Sequence, residues 1–130
     1  MNATAASATA APAVAIIDDD ESLCRSLGRL LRQAGFRPLT FASAEAFLQS
    51  PERPNLKCLL LDIQLGGMSG IALRRRLLAE GDTTPVIYIT AHDESATRAE
   101  ALSTGCAGFF RKTDPGAALI EALRRVTTRT

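Results

Sequence analysis

Residues 58–81 read CLLLDIQLGGMSGIALRRRLLAEG, and the fold turns on how this stretch divides. Cys58 to Leu61 is apolar at every position and too short for a helix, which is how a strand covered on both faces reads. It stops at an acid, Asp62. From Ile71 to Ala79 the apolar residues recur at helical spacing, and Gly81 ends the run. A doubly covered strand followed by a helix belongs to a parallel sheet with helices packed on both faces.

The rest of the chain repeats this texture. Val14–Ile17, Val86–Ile89 and Ala107–Phe110 are further short apolar runs, partly β-branched or aromatic. Leu23, Leu27, Leu30, Leu31 and Ala34 mark a first helix stopped by Gly35, and Ala44, Phe47 and Leu48 a second with Ser43 as N-cap. Residues 94–104 make a weakly apolar fourth helix. Leu119, Ala122, Leu123 and Val126 make a fifth, with Asp114 as N-cap and Pro115 as its first residue. The run Phe36–Phe41 contains Pro38, which cannot donate to a ladder, so this strand belongs at a sheet edge. The order is β-α five times. It predicts a flavodoxin-like (βα)5 α/β fold, a doubly wound parallel sheet with strand order 2-1-3-4-5. One domain is expected over residues 14–130, preceded by a disordered tail at 1–13.

Bulk composition narrows the function. The chain has 130 residues, 46% of them hydrophobic, and a formal net charge of +1. That is enough for one core and gives no electrostatic case for nucleic acid or an anionic membrane. Arg74–Arg76 and Arg124–Arg125 are read as solvated helix faces. Cys24, Cys58 and Cys106 form no C-x-x-C and are odd in number, so buried thiols in a reducing, cytoplasmic setting are expected. No apolar run approaches the roughly 20 residues of a membrane span, and the N-terminus lacks a signal-peptide pattern.

In open α/β sheets ligands bind beyond the carboxyl ends of the strands, where the strand order reverses. Strand one runs into Asp18-Asp19-Asp20-Glu21, strand three ends in Asp62, strand four in Thr90 and strand five at Lys112. Carboxylates gathered at one place repel unless a cation joins them. Magnesium suits Asp18, Asp19 and Asp62, because it takes hard oxygen ligands and leaves positions for phosphate. An aspartate can act as nucleophile toward phosphorus, with a lysine and a hydroxyl to stabilise the phosphoryl oxygens. Asp62, Lys112 and Thr90 are those residue types. The acidic turn after strand one also excludes a glycine-rich phosphate loop.

Taken together, IIDDDES (16–22), LLLDIQLGGMSG (59–70), VIYITAHD (86–93) and GCAGFFRK (105–112) resemble the receiver domain of two-component response regulators. The resemblance spans residues 14 to about 127. It implies Asp62 as phosphoacceptor and Asp18, Asp19 and the backbone carbonyl of Gln64 as further ligands of Mg2+, or of Mn2+ in its place. Thr90 and Phe109 match the switch pair, Lys112 the lysine that meets the phosphoryl oxygens, and Gln64 and His92 positions that tune phosphate lifetime. It implies a sensor histidine kinase or histidine phosphotransfer protein as donor, and autodephosphorylation in place of conventional enzyme turnover. Output would pass to a downstream protein through the fourth helix, fifth strand and fifth helix, with homodimerisation there left open.

Two departures stand out. Gly66 replaces the family's usual proline four residues after the acceptor, adding freedom to that loop. Thr113 follows the lysine where the family has a cis proline. A cis bond before a non-proline residue costs about 2.5–4 kcal/mol, so a trans bond and a rebuilt turn are expected. These departures motivate an alternative, a pseudo-receiver that binds partners without phosphorylation. A haloacid-dehalogenase-type hydrolase, suggested by Asp18-x-Asp20-x-Ser22, lacks the later acidic motif.

Overall fold

In the computed structural model, which describes residues 11–91 and 94–128, five parallel strands form one sheet in the order β2-β1-β3-β4-β5. The strands are β1 (Ala13–Ile17), β2 (Arg37–Phe41), β3 (Cys58–Asp62), β4 (Val86–Thr90) and β5 (Gly108–Arg111). The helices are α1 (Glu21–Gln33), α2 (Ala44–Leu48), α3 (Gly70–Ala79), α4 (Ser95–Leu102) and α5 (Gly116–Thr127), with a 3-10 turn at Arg53–Asn55 before β3. The expected fold class and strand order are the observed ones. β1 opens at Ala13, a residue before the expected start of the domain, and Ala13 is buried.

Alternation along the strands builds two cores. Ala15, Ile17, Leu59, Leu61 and Tyr88 point to one face, where Phe47 of α2, Leu73 and Leu77 of α3 and Ala101 of α4 cover them. Val14, Ile16, Leu60, Ile87 and Ile89 point to the other, under Leu27 and Leu31 of α1 and Leu119 and Leu123 of α5. Every residue of β1, β3 and β4 is buried, as apolar runs without alternation require. β2 is an edge strand. Arg37 N donates to Pro12 O and Asp18 N to Phe41 O, so the intervening Pro38 turns its missing donor to the open side.

The expected punctuation holds at most ends. Ser43 and Ser69 accept from the backbone of Ala46 and Ala72 and cap α2 and α3. α1 closes with Gly35 at φ 96° and α3 with Gly81 at φ 82°, the latter with Asp82 N donating to Leu77 O at 2.8 Å.

Two expectations are corrected. Asp114 does not cap α5: Pro115 holds the cap position and Gly116 opens the helix. The Asp114 carboxylate instead accepts from Arg111 N at 2.8 Å, while Asp114 N donates to Arg111 O at 2.9 Å. The turn through Lys112 and Thr113 is therefore closed twice, and no peptide bond among the described residues is cis. Nor is Arg74 solvated. Only 6% exposed, it donates to the carbonyls of Thr84, Thr104 and Gly105 at 3.0, 3.4 and 3.2 Å. These carbonyls border the start of β4 and the end of α4, where no helix or ladder satisfies them, and the negative end of the α4 dipole favours a cation. Periodicity places Arg74 beside Leu73 and Leu77 and cannot reveal that need.

Candidate functional site

The acidic run after β1 is sorted by position. Asp18 is held at the sheet end by its N–H bond to Phe41 O at 3.0 Å, and its carboxylate accepts from Asp20 N at 2.9 Å. Asp20 faces away and caps α1, accepting from Leu23 N at 3.1 Å. Glu21 lies in the first helical turn, 3.9 Å from Arg25 at an exposed surface. Asp18 is thus buried in the site, Asp19 lies exposed at its rim, and the other two acids serve the helix.

β3 delivers Asp62 from the neighbouring strand. Its Oδ1 accepts from Gln64 N at 3.2 Å, and it is only 4% exposed. Carboxylate oxygens of Asp18, Asp19 and Asp62 lie within 4.8 Å of one another. Lys112, brought by the rebuilt turn after β5, places Nζ 2.9 Å from Asp18 Oδ2 and 3.3 Å from Asp62 Oδ2. The turn is itself tied to β4, because Lys112 N donates to Thr90 O at 2.9 Å. Thr90 is fully buried and sits one residue beyond Ile89, the register partner of Asp62.

Burial and the charge of Asp18 push the Asp62 carboxyl up to about 6, against the pull of Lys112 and the Gln64 N–H. For Lys112, burial works downward, and the hydrogen bond to Asp18 with the charges of Asp62 and Asp18 more than offsets it, leaving the ammonium raised. Three carboxylates against one ammonium leave two negative charges uncompensated. A hard divalent cation meets that deficit, so the donor set fits Mg2+.

Phe109 pairs in register with Tyr88 and lies half-buried, its ring 6.4 Å from the Tyr88 ring. The Arg98 guanidinium of α4 covers it at 4.8 Å. Phe110 points to the opposite core, with Leu119 and Ile89. His92 lies outside the described residues.

Gly70 contributes without being a candidate from the sequence. A Cβ there would collide with the Asp62 carbonyl oxygen, so only glycine lets α3 begin against the end of β3. Its signal was the Ser69-Gly70 pair ahead of the helical run: a cap followed by a residue chosen for size.

The parallel sheet brings carboxylates at the ends of β1 and β3 and a lysine just after β5 together beyond the carboxyl ends of its strands. The response regulator receiver domain family matches residues 14–124 of the chain. The response regulator protein TmoT of Ectopseudomonas mendocina is 34% identical over 109 residues, 84% of this chain and 50% of that protein. The transcriptional regulatory protein FixJ of Azorhizobium caulinodans is 35% identical over 111 residues, 85% of this chain and 53% of that protein. Among solved structures, FixJ-N superposes with a TM-score of 0.80 at 32% identity, covering 92% of this chain and 95% of that one. The response regulator StyR superposes with a TM-score of 0.82 at 37% identity, covering 91% and 60%. The chain belongs to the response regulator receiver domain family of two-component systems. It spans about half the length of the curated relatives it matches. The family generally binds Mg2+ and interacts with histidine kinases and effector domains. No helix among the described residues is long and apolar enough to cross a membrane.

Proposed function

We propose that this receiver domain is phosphorylated on Asp62 by a sensor histidine kinase or a histidine phosphotransfer protein, and signals to a downstream protein through the surface of α4, β5 and α5. The observation that carries the reading is one ammonium, Lys112 Nζ, within 3.3 Å of both Asp18 and Asp62.

An Asp62 carboxylate oxygen forms the new P–O bond as the P–N bond of the donor phosphohistidine breaks, and the leaving imidazole keeps the electron pair and takes up a proton. The Lys112 ammonium then pairs with a phosphoryl oxygen, and the Thr90 hydroxyl donates to another. Asp18, Asp19, Asp62 and the Gln64 carbonyl would hold Mg2+ or Mn2+, which supplies positive charge to the phosphoryl oxygens when bound. Water returns Asp62 to the free carboxylate by autodephosphorylation, at a rate that Gln64 and His92 tune. Movement of Thr90 toward the phosphoryl group opens space for Phe109, which shifts the face carrying β5 between two states.

The test is incubation with Mg2+ and a small phosphoryl donor, read by intact mass. The wild type gains one phosphoryl group and Asp62→Asn gains none. A wild type that binds Mg2+ yet takes up no phosphoryl group from small donors or histidine kinases overturns the reading.

A further inference from the structure

The loop that leaves Asp62 is gripped from outside by α2. Glu45 Oε2 accepts a hydrogen bond from Met68 N at 3.0 Å across 23 positions of sequence. Gly67 takes φ 80°, and a Cβ there would lie 2.9 Å from Glu45 Oε2 and 3.4 Å from Oε1, so its missing side chain is what admits the carboxylate. The Met68 N–H, then the backbone N–H of Glu45 itself, hold this carboxyl below its ordinary range.

The gripping element is well anchored. Ser43 caps α2, Ala44 and Phe47 are buried, and the Phe47 ring meets Phe41 edge-on at 5.4 Å. The loop is closed at its base, where Gly70 N donates to Ile63 O at 2.9 Å and Gln64 N to Asp62 Oδ1 at 3.2 Å. Between these ties stand two exposed glycines. Gly66, where proline is the usual family residue, has open space around it. A glycine pair beside a reacting carboxylate leaves the backbone free to wander unless another group holds it.

We infer that Glu45 is a positioning residue for the Asp62 site: by holding Met68 across the Gly66-Gly67 turn it fixes the segment that presents Gln64 beside Asp62. The inference rests on the reading of Asp18, Asp19 and Asp62 as a cation and phosphoryl site. Glu45 touches neither cation nor phosphate. It acts through the loop.

Glu45→Ala, Glu45→Gln and the double variant Glu45→Ala/Gly66→Ala separate this role from a general effect on stability. In Glu45→Ala, the Met68 amide exchanges with deuterium faster and Mg2+ affinity by calorimetry falls about 3- to 10-fold, less than a full charge-assisted hydrogen bond is worth because the loop reaches the cation only through Gln64. Glu45→Gln keeps an oxygen acceptor and stays closer to wild type. Gly66→Ala removes backbone freedom where a methyl group meets nothing, so the double variant regains part of the affinity. Faster Met68 exchange with unchanged Mg2+ affinity in Glu45→Ala overturns the role of Glu45 alone. A wild type that takes up no Mg2+ overturns the site reading as well, so the two failures are distinct.

Discussion

The Lys112 ammonium lies 2.9 Å from Asp18 Oδ2, although 94 positions separate the two residues in sequence. Lys112 Nζ also reaches Asp62, so one ammonium bridges two buried carboxylates and offsets their mutual repulsion. Removing one partner of a buried ion cluster leaves the others uncompensated. Lys112→Ala is expected to destabilise the Mg2+-free protein by about 2 kcal/mol. Millimolar Mg2+ should recover most of that, because the cation binds the folded cluster. Urea denaturation with and without Mg2+ measures both. An equal loss under the two conditions contradicts the electrostatic account.

The pH dependence follows from Asp62. Its carboxyl is raised from an ordinary 3.8 to about 6, so between these values the folded chain keeps a proton that the unfolded chain releases. The stabilising contribution is complete below pH 3.8 and is lost as pH rises through 6. Without divalent cations, Asp62→Asn is therefore more stable than wild type at pH 7.5, by on the order of 1–3 kcal/mol. The difference shrinks toward pH 4. A stability difference that stays constant with pH points to packing in place of charge.

Arg74 and Arg75 are neighbours with opposite tasks. Arg74, itself buried, supplies the carbonyls of Thr84, Thr104 and Gly105, of which only Thr104 is a buried residue, whereas Arg75 pairs with Glu100 at 3.1 Å on the surface, its side chain 54% exposed. Arg74→Met leaves those carbonyls without their donor and should cost about 2–4 kcal/mol. Arg75→Ala should cost no more than about 0.5 kcal/mol. Comparable losses in chemical denaturation refute the distinction.

Two glycines near Asp62 differ in the same way. At Gly70 a methyl group would meet the Asp62 carbonyl, so Gly70→Ala forces α3 away from the strand end. A loss of about 1–3 kcal/mol and weaker Mg2+ binding are expected. Gly66→Ala, with nothing near it, should change stability by less than about 1 kcal/mol. Calorimetric unfolding and Mg2+ titration of the two variants give the comparison.

The legible part of this fold was local. Cys58–Leu61 announces a doubly covered strand because every position is apolar, and Gly35 and Gly81 end their helices by accepting positive φ. Pro38 marks an edge strand because it lacks a donor. Such signals survive in sequence because an apolar run, a positive φ and a missing donor are properties of a residue and its near neighbours. The strand-end aspartates, Thr90 and Lys112 were legible as a set, since a parallel sheet must deliver its strand ends to one side.

The site's division of labour was not legible in the same way. Asp18 to Glu21 are four consecutive acids, and only the docking of α1 decides that Asp18 enters the cluster while Asp20 caps the helix. Arg74 resembles its two neighbours until the ends of β4 and α4 present carbonyls to it. Asp114 resembles an N-cap until the turn at Arg111 recruits its carboxylate. The sequence by itself therefore determined the elements, their order and the polar residues at the strand ends, because these follow from periodicity and residue chemistry within a few positions. The tertiary structure alone decided which charged groups meet, because contacts such as that of Lys112 with Asp18 exist only after sheet order and register bring distant residues to one place.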